Sequence, residues 1–205
     1  MHIAIAGNIG SGKTTLTRML ADHYGWEPRF EAVDYNPYLD DYYSDIPRWS
    51  FNLEVYFLKQ RFKDILDIAR ARHTIIQDRS IFEGVYIFTA NNYASGSLSE
   101  RDFQTYMDLF EQMMSVVQLP DLMIYLRAEV PYLIGNIQQR NRECEQQMPI
   151  DYLASLNQRY EDFIQHHYKG RILILDKAEY DFKQPADMLR IYDKIDAALG
   201  QDALF

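Results

Sequence analysis

The 205-residue chain is poor in cysteine and in basic side chains, and it has no long apolar run. Its single cysteine, Cys144, excludes an internal disulfide and a cysteine zinc site, and it suits a reducing cytoplasm. Lysine and arginine total 21 against 30 acidic residues, and the net charge of −9 argues against a nucleic-acid partner. No apolar stretch approaches the roughly 18 residues of a membrane span, and the first β-like run leaves no room for a signal peptide. We therefore expect a cytoplasmic protein with no membrane or nucleic-acid partner.

Short β-like runs alternate with longer helical patterns along the whole chain. No repeat, low-complexity tract or linker divides it, so we expect one domain spanning 1–205. Strands that alternate with helices indicate an α/β fold with a parallel sheet covered on both faces. The predicted strands are His2–Ala6, Glu27–Glu31, Thr74–Asp78, Leu122–Leu126 and Arg171–Asp176, and the predicted helices lie near 13–24, 49–72, 80–90, 100–118, 130–141, 149–168 and 186–199.

Residues 7–14, Gly-Asn-Ile-Gly-Ser-Gly-Lys-Thr, follow the first predicted strand directly and open the first predicted helix. They fit G-x-x-x-x-G-K-[ST] in the strand–loop–helix setting that a phosphate-binding loop requires. Glycines let backbone N–H groups turn toward phosphate oxygens, while Lys13 supplies positive charge and the Thr14 hydroxyl is a ligand for Mg²⁺. The alternative is a glycine-rich turn with a solvated lysine. The setting favours a nucleoside triphosphate site made by Gly7, Asn8, Ile9, Gly10, Ser11, Gly12, Lys13, Thr14 and Thr15.

Other charged residues follow the predicted strands, at the sheet edge where α/β proteins bind ligands. Asp78 and Arg79 suit phosphoryl transfer, in which a carboxylate holds Mg²⁺ and an arginine neutralises the transferring group; a surface ion pair is the alternative. Glu31 is placed to accept the proton of an attacking hydroxyl. Arg140 and Arg142 lie in a polar segment that suits a lid over the triphosphate, unless it is only a charged surface loop.

Several separated pieces of the sequence resemble the deoxynucleoside kinases, the group that phosphorylates deoxyguanosine, deoxyadenosine and deoxycytidine. Their order and spacing match over roughly residues 2–176. The phosphate loop alone is common to many enzymes, whereas the ordered set is specific. The pieces are Gly7–Thr14, Glu31–Val33 with Asn36–Leu39, Tyr43–Phe51, Asp78–Ser80, and Arg140–Glu145 with Pro149 and Tyr152 behind it.

The resemblance implies a P-loop kinase with a five-stranded parallel sheet, helices on both faces and a short arginine-bearing lid at about 140–148. It implies ATP as the phosphate donor, Mg²⁺ as the cofactor, and a homodimer. Glu31 would be the general base for the deoxyribose 5′-hydroxyl, while Arg79 orients that base and, with Lys13, stabilises the phosphoryl group. The resemblance also implies Asp78 and Thr14 at Mg²⁺, Tyr43 and Glu145 at the 3′-hydroxyl, Phe82 along the nucleobase, and Arg140 and Arg142 in the lid.

Three positions depart from the pattern of many relatives, which place Gln at Glu54, Asp at Gly84 and, in some, a lid arginine at Asn136. Glu54 and Arg61 lie two turns apart on one face of the predicted 49–72 helix. A carboxylate only accepts hydrogen bonds, so Glu54 suits the N1–H and N2–H₂ donors of guanine, with Arg61 free for O6 and N7. We therefore expect a purine deoxynucleoside, guanine first and adenine second. A Glu54–Arg61 salt bridge that never touches the base is the alternative.

Two other functions share the phosphate loop. A GTP-binding switch protein would need an Asn-Lys-x-Asp motif, which does not occur in the chain. A nucleoside monophosphate kinase would need extra basic residues for the acceptor phosphate, and residues 31–61 offer only scattered cations. We therefore expect ATP-dependent phosphorylation of a deoxynucleoside 5′-hydroxyl in nucleotide salvage.

Overall fold

The computed structural model describes residues 1–31, 36–140 and 148–200. Its strands are β1 (His2–Gly7), β2 (Glu27–Arg29), β3 (Ile75–Asp78), β4 (Leu122–Arg127) and β5 (Ile172–Asp176). They form one five-stranded sheet in the order β2-β3-β1-β4-β5, and every pairing is parallel. The expected five-stranded parallel sheet is confirmed.

Helices connect the strands and cover both faces of the sheet. They are α1 (Lys13–Tyr24), α2 (Leu39–Ser44), α3 (Ile46–Arg70), α4 (Ile81–Glu83), α5 (Ala90–Ala94), α6 (Glu100–Met114), α7 (Val130–Arg140), α8 (Ile150–Asp162) and α9 (Pro185–Gly200). A π-helical stretch, Gly84–Thr89, joins α4 to α5, and a second one, Phe163–His167, continues α8. Among the described residues, no helix is long and apolar enough to cross a membrane.

Helix α3 begins three residues before the predicted start because a local cap forms there. The Asp45 carboxylate accepts a hydrogen bond from the backbone N–H of Arg48 at 3.2 Å, and Pro47 lies in the first turn. Proline is suited to that turn because the first N–H groups of a helix have no partner within it. The early start adds a turn to the element that carries Glu54 and Arg61.

The core consists of two apolar layers, one on each face of the sheet. In the first layer, Leu16 and Leu20 of α1 and Ile191 of α9 pack against the inward side chains of β1 and β4. In the second layer, side chains of α3, α6 and α8 pack with the helix that follows β3. Because every residue of β1 is buried, the loop that follows this strand is anchored from both faces.

The carboxyl ends of β1 and β3 bring the phosphate loop and the Asp78–Arg79 pair together. Ile5 lies beside Asp78 in the parallel register, and the backbone N–H of Arg79 donates to the carbonyl of Ile5 at 2.9 Å. The residues that end these two central strands therefore share one edge of the sheet.

Candidate active site

The loop between β1 and α1 is shaped by glycines in backbone conformations that other residues rarely adopt. Gly10 and Gly12 have φ of 82° and 96°, in the left-handed region that favours glycine. A β-carbon at Gly10 would lie 2.7 Å from the carbonyl oxygen of Leu133. The Asn136 amide donates to the carbonyl of Gly10 at 2.7 Å, so this side chain helps to fix the loop. The loop is a cradle of backbone groups that ends on the N-terminus of α1.

Lys13 is buried, and its ammonium group donates to the carbonyl of Asn8 at 3.0 Å. Burial, together with the positive charge of Arg79, lowers the pKa of Lys13 to about 8. Nearby carboxylates, among them Asp78, oppose this change. A triphosphate in the cradle would favour the charged form of Lys13, because its oxygens are negative.

Thr14 and Asp78 form a pair of oxygen ligands beside the loop. The Thr14 hydroxyl donates to Oδ2 of Asp78 at 2.5 Å, while Oδ1 of Asp78 is buried without a hydrogen-bond partner in the described part of the chain. Oxygen donors of this kind suit Mg²⁺, which keeps several waters and takes the rest of its ligands from phosphates. Across residues 1–31, 36–140 and 148–200 there is no group of three His, Cys, Asp or Glu side chains that could hold a metal ion alone. The pair therefore fits an Mg²⁺ ion that arrives with a triphosphate.

The Glu31 carboxylate lies between two arginines. Its Oε2 accepts from Nε of Arg79 at 3.0 Å, and its Oε1 pairs with the Arg61 guanidinium. Burial works against the charge on Glu31, but the positive charges of Arg79 and Arg61 prevail and lower its pKa to about 2. Glu31 is therefore ionised at neutral pH and held in one orientation.

A cavity of about 300 Å³ runs from the phosphate loop past Glu31 to Glu54. The expected residues that line it are Ile9, Gly10, Lys13, Thr14, Glu31, Tyr43, Glu54, Arg61, Asp78, Arg79 and Arg140, and five further rings, those of Phe30, Tyr42, Phe57, Phe88 and Tyr152, also line it. One end of the cavity is thus charged and suited to phosphate, while the other has aromatic walls suited to a flat ring.

Glu54 is buried at the aromatic end of this cavity. Its Oε1 accepts a hydrogen bond from the Asn92 amide at 3.1 Å. Burial raises the pKa of Glu54 to about 7, and the nearby charge of Arg61 opposes the rise only in part. Among the described residues Glu54 forms no ion pair with Arg61, so the salt bridge considered from the sequence is absent. The expectation of a free Arg61 also needs correction, since the Glu31 carboxylate attracts its guanidinium.

Phe82 does not lie along this cavity. Its ring is buried in the apolar core, 6.1 Å from the ring of Phe110 and 6.2 Å from that of Phe163. The expectation of Phe82 at the nucleobase is therefore corrected, because the helix that follows Arg79 points this ring into the core. Phe57 and Phe88 line the cavity instead. Arg142 and Glu145, expected in the lid and at the 3′-hydroxyl, lie outside the described residues.

A second cavity, of about 510 Å³, lies on the outer side of the phosphate loop. Gly12, Thr15, Tyr132, Lys177 and Phe182 line it, and Gly10, Lys13, Thr14, Arg18 and Arg140 line both cavities. The Lys177 ammonium lies 3.1 Å from the centre of the Phe182 ring, and burial lowers its pKa to about 8. The phosphate loop therefore separates two spaces, each large enough to hold part of a nucleotide.

Glu83 and Tyr160 are buried beside Arg79, and the sequence analysis did not predict either of them as a site residue. The Tyr160 hydroxyl accepts from Nη1 of Arg79 at 3.0 Å, and Glu83 accepts from the backbone N–H of Ser80 at 2.6 Å. Ser80-Ile-Phe-Glu83 has the spacing of a helix capping box, so the sequence does carry a signal for Glu83. No comparable local signal marks Tyr160, which lies far along the chain on α8.

A phosphate loop, an acid–arginine pair at the neighbouring strand end and a cavity for a flat acceptor define a P-loop phosphotransferase. The sequence profile described as deoxynucleoside kinase matches residues 3–199 of the chain. The chain belongs to the deoxynucleoside kinase family, as its motifs predicted, and it is a phosphotransferase.

Relatives of both purine specificities are similar to the chain. It is 40% identical over 181 residues to deoxyadenosine/deoxycytidine kinase of Bacillus subtilis (strain 168), covering 87% of this chain and 83% of that protein. It is 34% identical over 159 residues to deoxyguanosine kinase of the same organism, covering 78% and 76%. The structure of deoxyadenosine kinase from M. mycoides with bound dATP superposes with a TM-score of 0.85 at 31% identity, covering 96% of this chain and 100% of that one.

Proposed function

We propose that this enzyme transfers the γ-phosphoryl group of ATP, with Mg²⁺, to the 5′-hydroxyl of a purine deoxynucleoside. One observation carries the proposal: the ionised Glu31 carboxylate, held by Arg61 and Arg79, faces the same cavity as Lys13 of the phosphate loop. A nucleoside whose base lies at the aromatic end would bring its sugar to Glu31 and its 5′-hydroxyl toward the loop.

Glu31 takes the proton in this reaction. As the bond between the 5′-oxygen and the γ-phosphorus forms, the bond from that phosphorus to the bridging oxygen breaks and ADP leaves. The hydroxyl proton passes to Glu31, which has lone pairs beyond those that its arginine partners use. A carboxylate with a pKa of about 2 is a weak base, which suits a loose transition state in which the hydroxyl loses its proton late.

Arg79 and Lys13 stabilise negative charge on the phosphoryl group that is transferred. Both are buried cations, and an arginine and a lysine beside the transferring phosphoryl group stabilise its negative charge without reorganisation at the moment of reaction. Thr14 and Asp78 would hold Mg²⁺, which would neutralise negative charge on the phosphates. Arg140 is positioned to contact the triphosphate as well, since it lines both cavities.

The ion pairs of Arg61 and Arg79 with Glu31 favour a nucleoside, which is uncharged, over a nucleotide as the acceptor. Arg61 and Arg79 line the proposed acceptor space, and both are bound to Glu31. An acceptor phosphate would have to break these pairs, and it would meet the repulsion of the Glu31 charge. This supports a nucleoside kinase over a nucleoside monophosphate kinase.

Glu54 supports guanine as the preferred base. Its ionised carboxylate accepts two hydrogen bonds, which matches the adjacent N1–H and N2–H₂ donors of guanine. Once protonated, the carboxyl group offers one donor and one acceptor, as glutamine does, and then matches adenine. We therefore propose deoxyguanosine first and deoxyadenosine second. The Asn92 amide fixes the orientation of the carboxyl group for either base.

The test is a panel of deoxynucleosides and their monophosphates with ATP and Mg²⁺, using wild type, Glu31→Gln and Glu161→Gln. Glu161 is the matched control, because it also pairs with an arginine, Arg127, at 2.8 Å but lies away from the cavity. We expect Glu31→Gln to lower kcat by about 10²–10⁴-fold with the fold intact, and Glu161→Gln to have little effect. A loss of less than tenfold in Glu31→Gln would remove Glu31 from its role, and faster turnover of a monophosphate would refute the acceptor class.

We also propose that the enzyme is a homodimer that acts in nucleotide salvage in the cytoplasm. The dimer rests on the family resemblance and on half-buried apolar side chains of the adjoining helices α3 and α6, among them Phe51, Val55 and Met107. Sedimentation equilibrium at micromolar concentration would report twice the chain mass. A single-chain mass across that range would overturn the assembly without affecting the chemistry.

A further inference from the structure

Glu83 and Tyr160 form a buried pair on the side of Arg79 that faces away from Glu31. Both side chains are fully buried. Oε1 of Glu83 lies 2.7 Å from the Tyr160 hydroxyl, and Oε2 accepts from the backbone N–H of Ser80 at 2.6 Å. Burying a carboxylate costs free energy unless it is paired and hydrogen-bonded. A fully buried acid is therefore expected where its hydrogen bonds have a role that an apolar side chain could not fill.

The backbone of Arg79 has a conformation that its surroundings must hold. With φ at 74°, it is the one non-glycine residue with a positive φ in the described ranges 1–31, 36–140 and 148–200. Such conformations are unfavourable for residues with a β-carbon, and they persist only where several contacts fix them. The backbone N–H bond to Ile5 is one such contact, and the hydrogen bonds of the side chain are others.

The Arg79 guanidinium is shared between two partners on opposite edges. Nε donates to Glu31 at 3.0 Å, while Nη1 donates to the Tyr160 hydroxyl at 3.0 Å and lies 3.5 Å from Glu83. The Phe88 ring lies 4.7 Å from the guanidinium carbon and covers its face. The edge that does not touch Glu31 is therefore oriented by Tyr160 and Glu83 alone among the described residues.

The same pair reaches the start of the phosphate loop. The carbonyl of Gly7 lies 2.7 Å from the Tyr160 hydroxyl, and the N–H of Gly7 donates to Glu83 at 3.3 Å. Both backbone groups of Gly7 are thus tied to the atoms that orient Arg79. A shift of either partner would move the arginine and the loop relative to each other.

We propose that Glu83 and Tyr160 are positioning residues that hold Arg79 and the beginning of the phosphate loop in a single geometry for phosphoryl transfer. The inference rests on the proposed role of Arg79 at the transferred phosphoryl group. Misplacement of a catalytic group by about 1 Å can cost on the order of 10²-fold in rate, so loss of one hydroxyl here should appear in kcat.

Tyr160→Phe removes only that hydroxyl, and Tyr125→Phe is its matched control. Tyr125 is also buried, stacks on the Tyr160 ring at 5.7 Å, and donates its hydroxyl to Glu161 rather than to the site. We expect Tyr160→Phe to lower kcat by about tenfold to a hundredfold, with the deoxynucleoside dissociation constant from calorimetry within threefold of wild type. Tyr125→Phe should leave kcat unchanged. Equal kcat losses in the two variants, or no loss in Tyr160→Phe, would overturn the proposal.

A double-mutant cycle with Arg79→Lys separates positioning from general stability. Lysine keeps a positive charge but cannot contact Glu31 and Tyr160 together, so we expect the kcat effect of Tyr160→Phe to shrink in this background to the part that comes from the contact between Tyr160 and Gly7. Glu83→Gln should behave like Tyr160→Phe in both backgrounds. An undiminished effect in Arg79→Lys would mean that Tyr160 acts elsewhere. If Arg79→Lys alone turned over at the wild-type rate, the proposed role of Arg79 would fail instead, so the two failures are distinguishable.

Discussion

A single carboxyl group, that of Glu54, combines deep burial with a position at the aromatic end of the acceptor cavity. The side chains near it are Asn92, Thr89, Arg61, Glu31, Arg79, Tyr42, Tyr106 and Tyr152, and burial outweighs the two cations in setting its pKa. With a pKa of about 7, the group is mostly protonated below neutrality and mostly ionised above it. Its hydrogen-bonding pattern therefore changes within the range where the enzyme can be assayed.

We predict that the preference for deoxyguanosine over deoxyadenosine increases as the pH rises through 7. The ionised form of Glu54 only accepts hydrogen bonds and matches guanine, whereas the protonated form also donates and matches adenine. The ratio of kcat/KM for the two nucleosides between pH 5.5 and 8.5 measures this change. Glu54→Gln should lower the ratio and make it independent of pH, and a ratio in wild type that stays flat would contradict the prediction.

At Gly10, a single β-carbon would disturb the phosphate loop. A β-carbon there would collide with the Leu133 carbonyl at 2.7 Å, and φ of 82° is strained for any other residue. We predict that Gly10→Ala weakens ATP binding by tenfold or more and lowers the melting temperature, because the loop must shift. Calorimetric titration with ATP and a thermal melt measure both quantities.

Gly135 is the matched control for Gly10. It lies within α7, and a β-carbon there would have no heavy atom within 4 Å. Gly135→Ala should leave ATP affinity unchanged and raise the free energy of unfolding by up to about 1 kcal/mol, since alanine favours helices. Similar losses of ATP affinity in both variants would show that the collision at Gly10 is not the cause.

At the scale of elements, the Asp45 cap sets where α3 begins. Its carboxylate satisfies the N–H of Arg48, which has no partner within the helix. We predict that Asp45→Ala lowers the free energy of unfolding by about 1 kcal/mol, while kcat changes little because Asp45 itself does not line the cavity. Urea denaturation gives the first quantity. Asp22→Ala, an exposed position on α1, should change stability by less than about 0.5 kcal/mol.

The elements that could be predicted from the sequence are those with a local signal. The phosphate loop is fixed by glycine and lysine at set positions, and β1 and β4 are mostly apolar runs long enough to recognise. Helix α2 could not be predicted, because its six residues, Leu-Asp-Asp-Tyr-Tyr-Ser, have no apolar period and it packs against α3. The π-helical stretch after α4 could not be predicted either. It directly follows the short helix that carries Phe82 into the core.

The candidate site was predicted in part for the same reason. Asp78 and Arg79 follow a buried strand, so their place at the sheet edge follows from the chain itself. The pairing of Arg61 with Glu31 could not be predicted, because it depends on how α3 docks beside the β2 edge of the sheet. Glu31 was indicated by its place after a predicted strand and by the resemblance, whereas the approach of Tyr160 to Arg79 depends on how α8 packs.

At the scale of the whole molecule, ligand binding should raise the thermal stability of the folded protein. A ligand that binds only the folded state adds about 2.7 kcal/mol at a hundredfold excess over its dissociation constant. We predict that ATP with Mg²⁺ and a deoxynucleoside each raise the melting temperature of wild type, and that EDTA reduces the shift from ATP. Lys13→Met should lose most of the ATP shift and keep the nucleoside shift, because the base and sugar would lie toward Glu54. Loss of both shifts in Lys13→Met would indicate global disruption.

The two cavities meet at Gly10, Lys13, Thr14, Arg18 and Arg140, which line both. A single compound in which adenosine and a deoxynucleoside are joined through a chain of phosphates would therefore occupy both spaces at once. Tethering turns the second binding event into an intramolecular one, so such a bisubstrate compound would bind far more tightly than either half. It would compete with both the donor and the acceptor. The number of phosphates that gives the highest affinity would measure the distance between the two spaces across the loop.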